Sequence, residues 1–296
     1  MQSPLEKHLL VTISEDINAL FGLRYVFGFF TRRDLVRLTL FYVTPRPAAG
    51  SFKSSLPLCR SPQDEDEALG KSCRRPPHAL ATARDWLKDM GFPPDRVELK
   101  ASPAKLGTVK DIAAEAERGL YDAVVLGRRG LSWFDEIFDD SVTHRLLWES
   151  LSFPLWVCRN PMRHRRNVLL CMDDSEEALR VADHVGFILR DEPEHRVTVF
   201  HNRAQGLPEG ERIEDGMAKA GEILQQNGIE EERIDFLVKS SKDQAGLILQ
   251  EARQGEYAAV AIGRTGGKPS TMANIFGSTS LTLLRRLEGA ALWISK

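Results

Sequence analysis

The sequence predicts an α/β protein with a mainly parallel sheet, built as two copies of one unit. Short apolar runs alternate throughout with stretches of helical spacing, the pattern that lays helices on a parallel sheet. The stretch 116–130, AERGLYDAVVLGRRG, aligns without a gap with 252–266, ARQGEYAAVAIGRTG, and 9–14, LLVTIS, aligns with 168–173, VLLCMD. The segment 257–279, YAAVAIGRTGGKPSTMANIFGST, passes from a short apolar run straight into Gly263, Gly266 and Gly267. That run is too brief for a helix and reads as a buried strand.

Each element follows from the same patterns. In the first copy, strands are expected at 9–14, 35–43, 96–101, 122–127 and 154–158, with helices at about 16–30, 78–90, 108–118 and 141–149. The segment 44–77 is rich in Pro, Ser and charge and keeps no period, so it reads as a long, partly mobile excursion inserted in this copy. The second copy runs strand 167–173, helix 175–190, strand 196–202, helix 211–227, strand 233–239, helix 243–254, strand 257–263, helix 278–287 and strand 290–295. The basic joint 159–166, RNPMRHRR, divides two domains, 1–160 and 161–296. A duplication with one insertion accounts for the uneven spacing of the repeated stretches.

A chain of 296 residues agrees with two such domains. A net charge of −2 gives no general attraction to nucleic acid or to a membrane surface. The start of the chain has no signal-peptide pattern, and no apolar run reaches the roughly 18 residues of a span. Cys59, Cys73, Cys158 and Cys171 are too scattered for a disulfide scaffold, so reduced thiols and a cytoplasmic location are expected.

The glycine-lined turn after 257–263 is the feature most suggestive of chemistry. Ser278 or Thr279 reads as the N-cap of the helix that follows. A loop of that kind offers free N–H groups and a positive dipole end to an anion. No carboxylate occurs between Gly263 and Thr279, while Arg264 and Lys268 do. The alternative is a glycine-rich turn with a capped helix and no ligand.

With these residues in view, the sequence resembles a tandem universal stress protein. The stretch NVLLCMDDSEEALRVADHV is similar to the family's opening strand, which ends in Asp, a variable residue, Ser and a helix. Gly263, Gly266, Gly277 and Ser278 are similar to its nucleotide motif, Gly-x2-Gly-x9-Gly-[Ser/Thr], with one extra residue before Gly277 unless Gly267 takes the second place. The resemblance implies two open five-stranded, Rossmann-like parallel sheets paired through their last strands as a pseudo-dimer. Leu155-Trp156-Val157 and Leu292-Trp293-Ile294 would be those paired edges. It further implies ATP, or AMP or ADP, at the carboxyl ends of the strands, with Asp173 as a nucleotide contact.

The two copies differ where this matters. Ser14 stands where the second copy has Asp173, and Asp140 replaces the third glycine before Ser141 in the first copy, among Asp135, Glu136 and Asp139. Two unit charges about 4 Å apart interact by roughly 4 kcal/mol at an effective dielectric of 20, so an acidic loop opposes a phosphate. The expected site is therefore in the second copy: Asp173, Gly263, Arg264, Gly266, Gly267, Lys268, Gly277, Ser278 and Thr279.

Other constellations are weaker. Ile262 and Pro269 stand where a Walker loop needs Gly and Ser or Thr. Cys59 and Cys73 lack the close partners of a metal site. His201 has no nucleophile pattern beside it and reads as structural. Asp174 is expected to start the following helix, with Mg²⁺ entering only through a bound nucleotide. Trp86, Trp148, Cys158 and Cys171 read as core.

The expectation is a non-enzymatic regulator of stress responses, gated by an adenine nucleotide and acting through an unidentified protein partner, with self-association open. A nucleotide-independent interaction scaffold and a slow ATPase are the alternatives.

Overall fold

The structure, a computed structural model, describes residues 4–14, 20–44, 78–127, 153–173, 175–203, 211–263 and 273–295, with 211–213 and 273–277 described by backbone alone. The first half holds strands β1 (Lys7–Thr12), β2 (Val36–Thr44), β3 (Val97–Pro103), β4 (Ala123–Leu126) and β5 (Leu155–Cys158). Its helices are α1 (Phe21–Phe29), α2 (His78–Asp89) and α3 (Thr108–Gly119). The second half holds β6 (Val168–Cys171), β7 (Val197–Arg203), β8 (Ile234–Ser240), β9 (Ala259–Gly263) and β10 (Ala291–Ser295). Between them lie α4 (Glu176–Leu189), α5 (Glu211–Gln226), α6 (Gln244–Gln254) and α7 (Ala273–Arg286).

Every strand read from the sequence is present, and so is every helix that falls in the described residues. The excursion 45–77 with Cys59 and Cys73, the helix expected at 141–149, Trp148 and the acidic loop Asp135, Glu136, Asp139 and Asp140 lie outside them.

The strands form one ten-stranded sheet in the order β3-β2-β1-β4-β5-β10-β9-β6-β7-β8. Within each half all neighbours are parallel, and the order in the second half mirrors that in the first. The repeat is visible in the backbone as well. Leu120 and Glu256, at matching positions, both take left-handed φ values, 49° and 51°. The preceding glycines explain why the stretch is kept: a Cβ on Gly119 would sit 2.1 Å from the Tyr121 ring, and one on Gly255 2.3 Å from the Tyr257 ring. Each tyrosine folds back over its own helix end and needs that space.

Helices cover both faces, so the sheet separates two cores. One is built by α1, α2, α4 and α5, the other by α3, α6 and α7, and each runs through both halves. Cys158 is fully buried, and Trp86 and Cys171 pack against the cores, as core residues should.

The halves join through β5 and β10, the one antiparallel pair among the strand pairings, in the register Leu155 to Ile294, Trp156 to Trp293 and Val157 to Leu292. These are the edges expected to pair. The two indoles lie parallel, 4.2 Å between centroids and 6° between planes. Phe29, Phe30 and Tyr25 from α1 and its end crowd Trp156 from one side. From α4, His184 accepts a 3.1 Å hydrogen bond at Nε2 from Trp156 Nε1.

A second contact uses the turn after α4. His195 Nε2 donates to the Phe29 carbonyl at 2.9 Å, and Lys7 pairs with Asp191. The buried carboxylate of Glu192 accepts the Thr31 N–H at 2.8 Å, the Thr31 hydroxyl and the Arg32 N–H at 3.2 Å. Because Lys7, Glu192 and His195 are all buried, each must find its partner across the seam.

Burial holds both His184 and His195 in the neutral form, with their pKa values lowered to about 4. The unfolded chain binds these protons near pH 6.5 and the folded chain does not, so stability is full above that pH and falls as pH drops from 6.5 toward 4. The expected slope approaches about 1.4 kcal/mol per pH unit for each histidine. Urea denaturation between pH 7 and pH 5 measures it; a constant midpoint over that interval contradicts the buried neutral pair.

Candidate functional site

In the second half, β6 and β9 are neighbours whose chains leave for opposite faces. The chain leaving β6 enters α4, which packs in the first core, and the chain leaving β9 reaches α7, which packs in the other. A crevice opens at the carboxyl ends of two strands that part in this way, and ligands of open α/β sheets bind there.

Asp173 lies at this point, exposed, two residues past the end of β6. Its Oδ1 accepts the Ser175 N–H at 3.0 Å and also the Ser175 hydroxyl. Ser175 in turn caps α4: its Oγ accepts the Ala178 N–H at 3.2 Å. The sequence reading gave the helix start to Asp174, but the N-cap is Ser175. A Ser side chain in extended backbone reaches the N–H three residues on, which is the geometry of a cap. The carboxylate is thus oriented by the helix start, with Oδ2 outside both of those bonds.

Gly263 ends β9 against the same helix turn. A Cβ there would lie 3.0 Å from the Ala178 nitrogen and 3.1 Å from the Glu177 carbonyl carbon, both backbone atoms. Glycine is required because strand end and helix end touch. On the other side, a Cβ on Gly216 of α5 would face the Asp173 carbonyl oxygen at 3.8 Å. Asp173, Ser175, Gly216 and Gly263 therefore converge; sequence reasoning named the first and last and left Gly216 out. No local signal marks Gly216, since it is a helix residue far away in sequence.

The nucleotide motif is only partly placed. Arg264, Gly266, Gly267 and Lys268 lie outside the described residues. The helix after them starts at Ala273, five residues before the expected start at Ser278. Gly277, Ser278 and Thr279 are consequently inside the helix, and neither Ser278 nor Thr279 is its N-cap. A glycine within a helix costs only about 1 kcal/mol relative to alanine, too little to stop one. Helical geometry draws the N–H of residue 277 toward the carbonyl of residue 273, so the open amides belong to the first turn. That turn has no acidic residue. The Ser278 side chain is exposed, and the Thr279 hydroxyl lies 3.3 Å from Gln244 Oε1 at the start of α6.

Two groups near the rim have structural duties. His201 is buried, with Nδ1 2.9 Å from the Met172 carbonyl oxygen, the structural role read from the sequence. Burial and the charge of Asp173 push the Cys171 thiol well up, so it stays protonated and is a poor nucleophile. Among the described residues, no group of three or more His, Cys, Asp or Glu is placed to hold a metal ion. No described helix is long and apolar enough to cross a membrane.

In the first half β1 and β4 are likewise parallel neighbours, but the residues at their ends differ. Ser14 occupies the place of Asp173. The close approach of helix to strand end is carried by the helix residue instead: a Cβ on Gly22 would lie 3.2 Å from Val125 Cγ1 and 3.5 Å from the Gly127 nitrogen.

The topology defines a doubled, doubly wound α/β protein. Solved structures bear this out over the whole chain. A universal stress protein from Archaeoglobus fulgidus DSM 4304 matches with a TM-score of 0.63 at 18% identity, covering 99% of this chain and 97% of that one. A functionally unknown protein from Pseudomonas aeruginosa PAO1 matches with a TM-score of 0.51 at 13% identity, covering 98% and 92%. The chain thus has the fold of the universal stress proteins along its full length. No family model matches the sequence, and no curated protein does.

Replacing Ser175 with Ala is expected to cost about 1 kcal/mol through the lost cap. Gly263→Val, which drives side-chain atoms into the backbone of α4, should cost more than that. Thermal unfolding of the two variants ranks them; a Gly263→Val protein as stable as the parent would show that β9 and α4 do not touch.

Proposed function

We propose that this protein is a stress-response regulator whose second half binds ATP or a related adenine nucleotide. One observation carries the reading. Asp173 is exposed and oriented by Ser175 at the switch-point crevice of the second half, and Ser14 takes its place in the first. In this reading Asp173 accepts hydrogen bonds from the sugar hydroxyls. The phosphates lie toward Arg264, Gly266, Gly267 and Lys268 and the acid-free first turn of α7. Gly277, Ser278 and Thr279 then support that turn from within the helix rather than donating their amides. Magnesium would come with the phosphates. Binding alters the shape or the partners of the protein, in the cytoplasm, and hydrolysis is slow.

A nucleotide-independent scaffold is the second reading, and the early start of α7 favours it, because three residues of the expected site, Gly277, Ser278 and Thr279, are absorbed into the helix. Calorimetric titration with ATP, ADP, AMP and cyclic AMP separates the two. Under the nucleotide reading one site per chain is found. Asp173→Ala weakens it at least tenfold, as loss of charge-assisted hydrogen bonds worth about 1.5–3 kcal/mol implies. Gly277→Asp also weakens it, and disruption of Gly127 leaves it unchanged. No heat with any of the four ligands favours the scaffold; binding that survives Gly277→Asp but is lost with Gly127 moves the site to the first half. Rapid release of phosphate from ATP would instead make the protein an ATPase.

A further inference from the structure

On the second-half side the sheet ends at β8, which pairs with β7 and, among the described residues, with no strand beyond it. Along 235–240 no described residue outside β7 is hydrogen-bonded to its backbone. An open edge of this length presents a row of N–H and C=O groups to another strand, and folded proteins commonly blunt it with a proline or a bulge. β8 contains no proline, and its register with β7 is unbroken from Ile234 to Ser240.

The side chains at this rim are apolar on one face. Phe236 and Val238 are 55% and 45% exposed, two of the six large apolar side chains exposed among the described residues. A Cβ on Gly221 of α5 would lie 2.9 Å from Phe236 Cζ, so the ring rests against the helix at the edge of the sheet. The opposite edge differs. β3 has no exposed large apolar side chain and ends in Pro103, which has no N–H to offer.

Asp235, Leu237 and Lys239 occupy the other face of β8. Asp235 pairs with Arg196, and Lys239 with the buried carboxylate of Glu251 on α6, yet the two side chains remain 51% and 40% exposed. Each charge therefore keeps an open side.

The order Ile-Asp-Phe-Leu-Val-Lys-Ser along β8 is self-complementary. A two-fold axis normal to the sheet leaves each face on its own side, so antiparallel self-pairing must be centred on a residue. Centred on Leu237, it sets Asp235 against the second copy's Lys239, Lys239 against the second copy's Asp235, and each Phe236 against a Val238. Centred on Phe236 or on Val238, it sets Asp235 or Lys239 against Leu237, and both ion pairs are lost. Opposite charges and aromatic with β-branched side chains, directly opposed, are the pairs that stabilise antiparallel strands.

We propose that β8 is a homodimer interface, in which two copies of this chain pair antiparallel through 234–240 about Leu237. Phe236 and Val238 meet across it on the face of α5. On the face of α6, Arg196, Asp235, the second copy's Lys239 and the second copy's Glu251 form a row of alternating charge.

The test uses the full chain without nucleotide, so it is independent of the reading of the other site. Sedimentation equilibrium over a concentration series is expected to show a particle of twice the chain mass. Asp235→Lys opposes like charges and should weaken the dimer at least tenfold. Val238→Lys, at an exposed position, should do the same with the far-ultraviolet circular dichroism unchanged, and it decides the matter if Asp235→Lys does not fold. Directly opposed residues have Cα atoms about 4.5–5.5 Å apart, within reach of a disulfide. In a chain carrying Cys59→Ser and Cys73→Ser, Leu237→Cys should therefore cross-link the two copies under oxidation, and Phe236→Cys should not. A monomer at every concentration overturns the proposal and leaves the edge to a strand from another protein. A dimer that persists in Val238→Lys lies elsewhere and overturns it too, and so does a dimer that cross-links through Phe236→Cys but not through Leu237→Cys.

Discussion

Most of this structure depends on the antiparallel meeting of β5 and β10. Alone, each half would end in a strand with unpaired backbone groups and a large exposed indole, an edge that invites aggregation. Joined, they bury Trp156 against Trp293 and let the sheet run unbroken through ten strands. A stacked aromatic pair contributes about 0.5–1.5 kcal/mol beyond the burial of its area. The larger consequence is topological, since both cores become continuous across the seam. Neither half closes its core without the other.

Local pattern was enough for much of this. Repeated apolar runs and the matched 116–130 and 252–266 stretches foretold the strands, their mainly parallel arrangement and the doubling of the unit, but not the strand order. The pairing of Trp156 with Trp293 came from likeness to a family and not from spacing. What stayed hidden was non-local. Nothing near His184 in sequence shows that it accepts from Trp156, and nothing near Glu192 shows that its carboxylate binds the backbone at Thr31. The start of α7 was misjudged for a different reason. Ser278 and Thr279 have the chemistry of an N-cap, but a helix already begun at Ala273 tolerates Gly277 and carries both inside it.

The two halves show how a duplication can share a backbone and divide its chemistry. Both halves bring a helix onto the end of a central strand, and both need a glycine at the contact. The first places it on the helix, at Gly22, and the second on the strand, at Gly263. That packing requirement is met in either arrangement, so a glycine at such a place is not by itself evidence of a ligand. Asp173 is different. One of its oxygens, Oδ1, serves the start of α4 by accepting from Ser175, but the side chain is exposed, which is why it carries more weight than the glycines around it.

The element that links site and seam is α4. It begins at Ser175, which holds Asp173, carries His184 to Trp156, and ends just before the turn that lodges Asp191, Glu192 and His195 against the first half. Helical rise puts His184 about 14 Å from Ser175, along one hydrogen-bonded rod. A short helix of this kind is stiff along its axis, so a shift at its cap is also a shift at its histidine. Packing at the seam resists it, because cores pack as densely as crystals and respond to small displacements. One helix thus joins the exposed carboxylate at the crevice to the contacts at the seam that the whole sheet depends on.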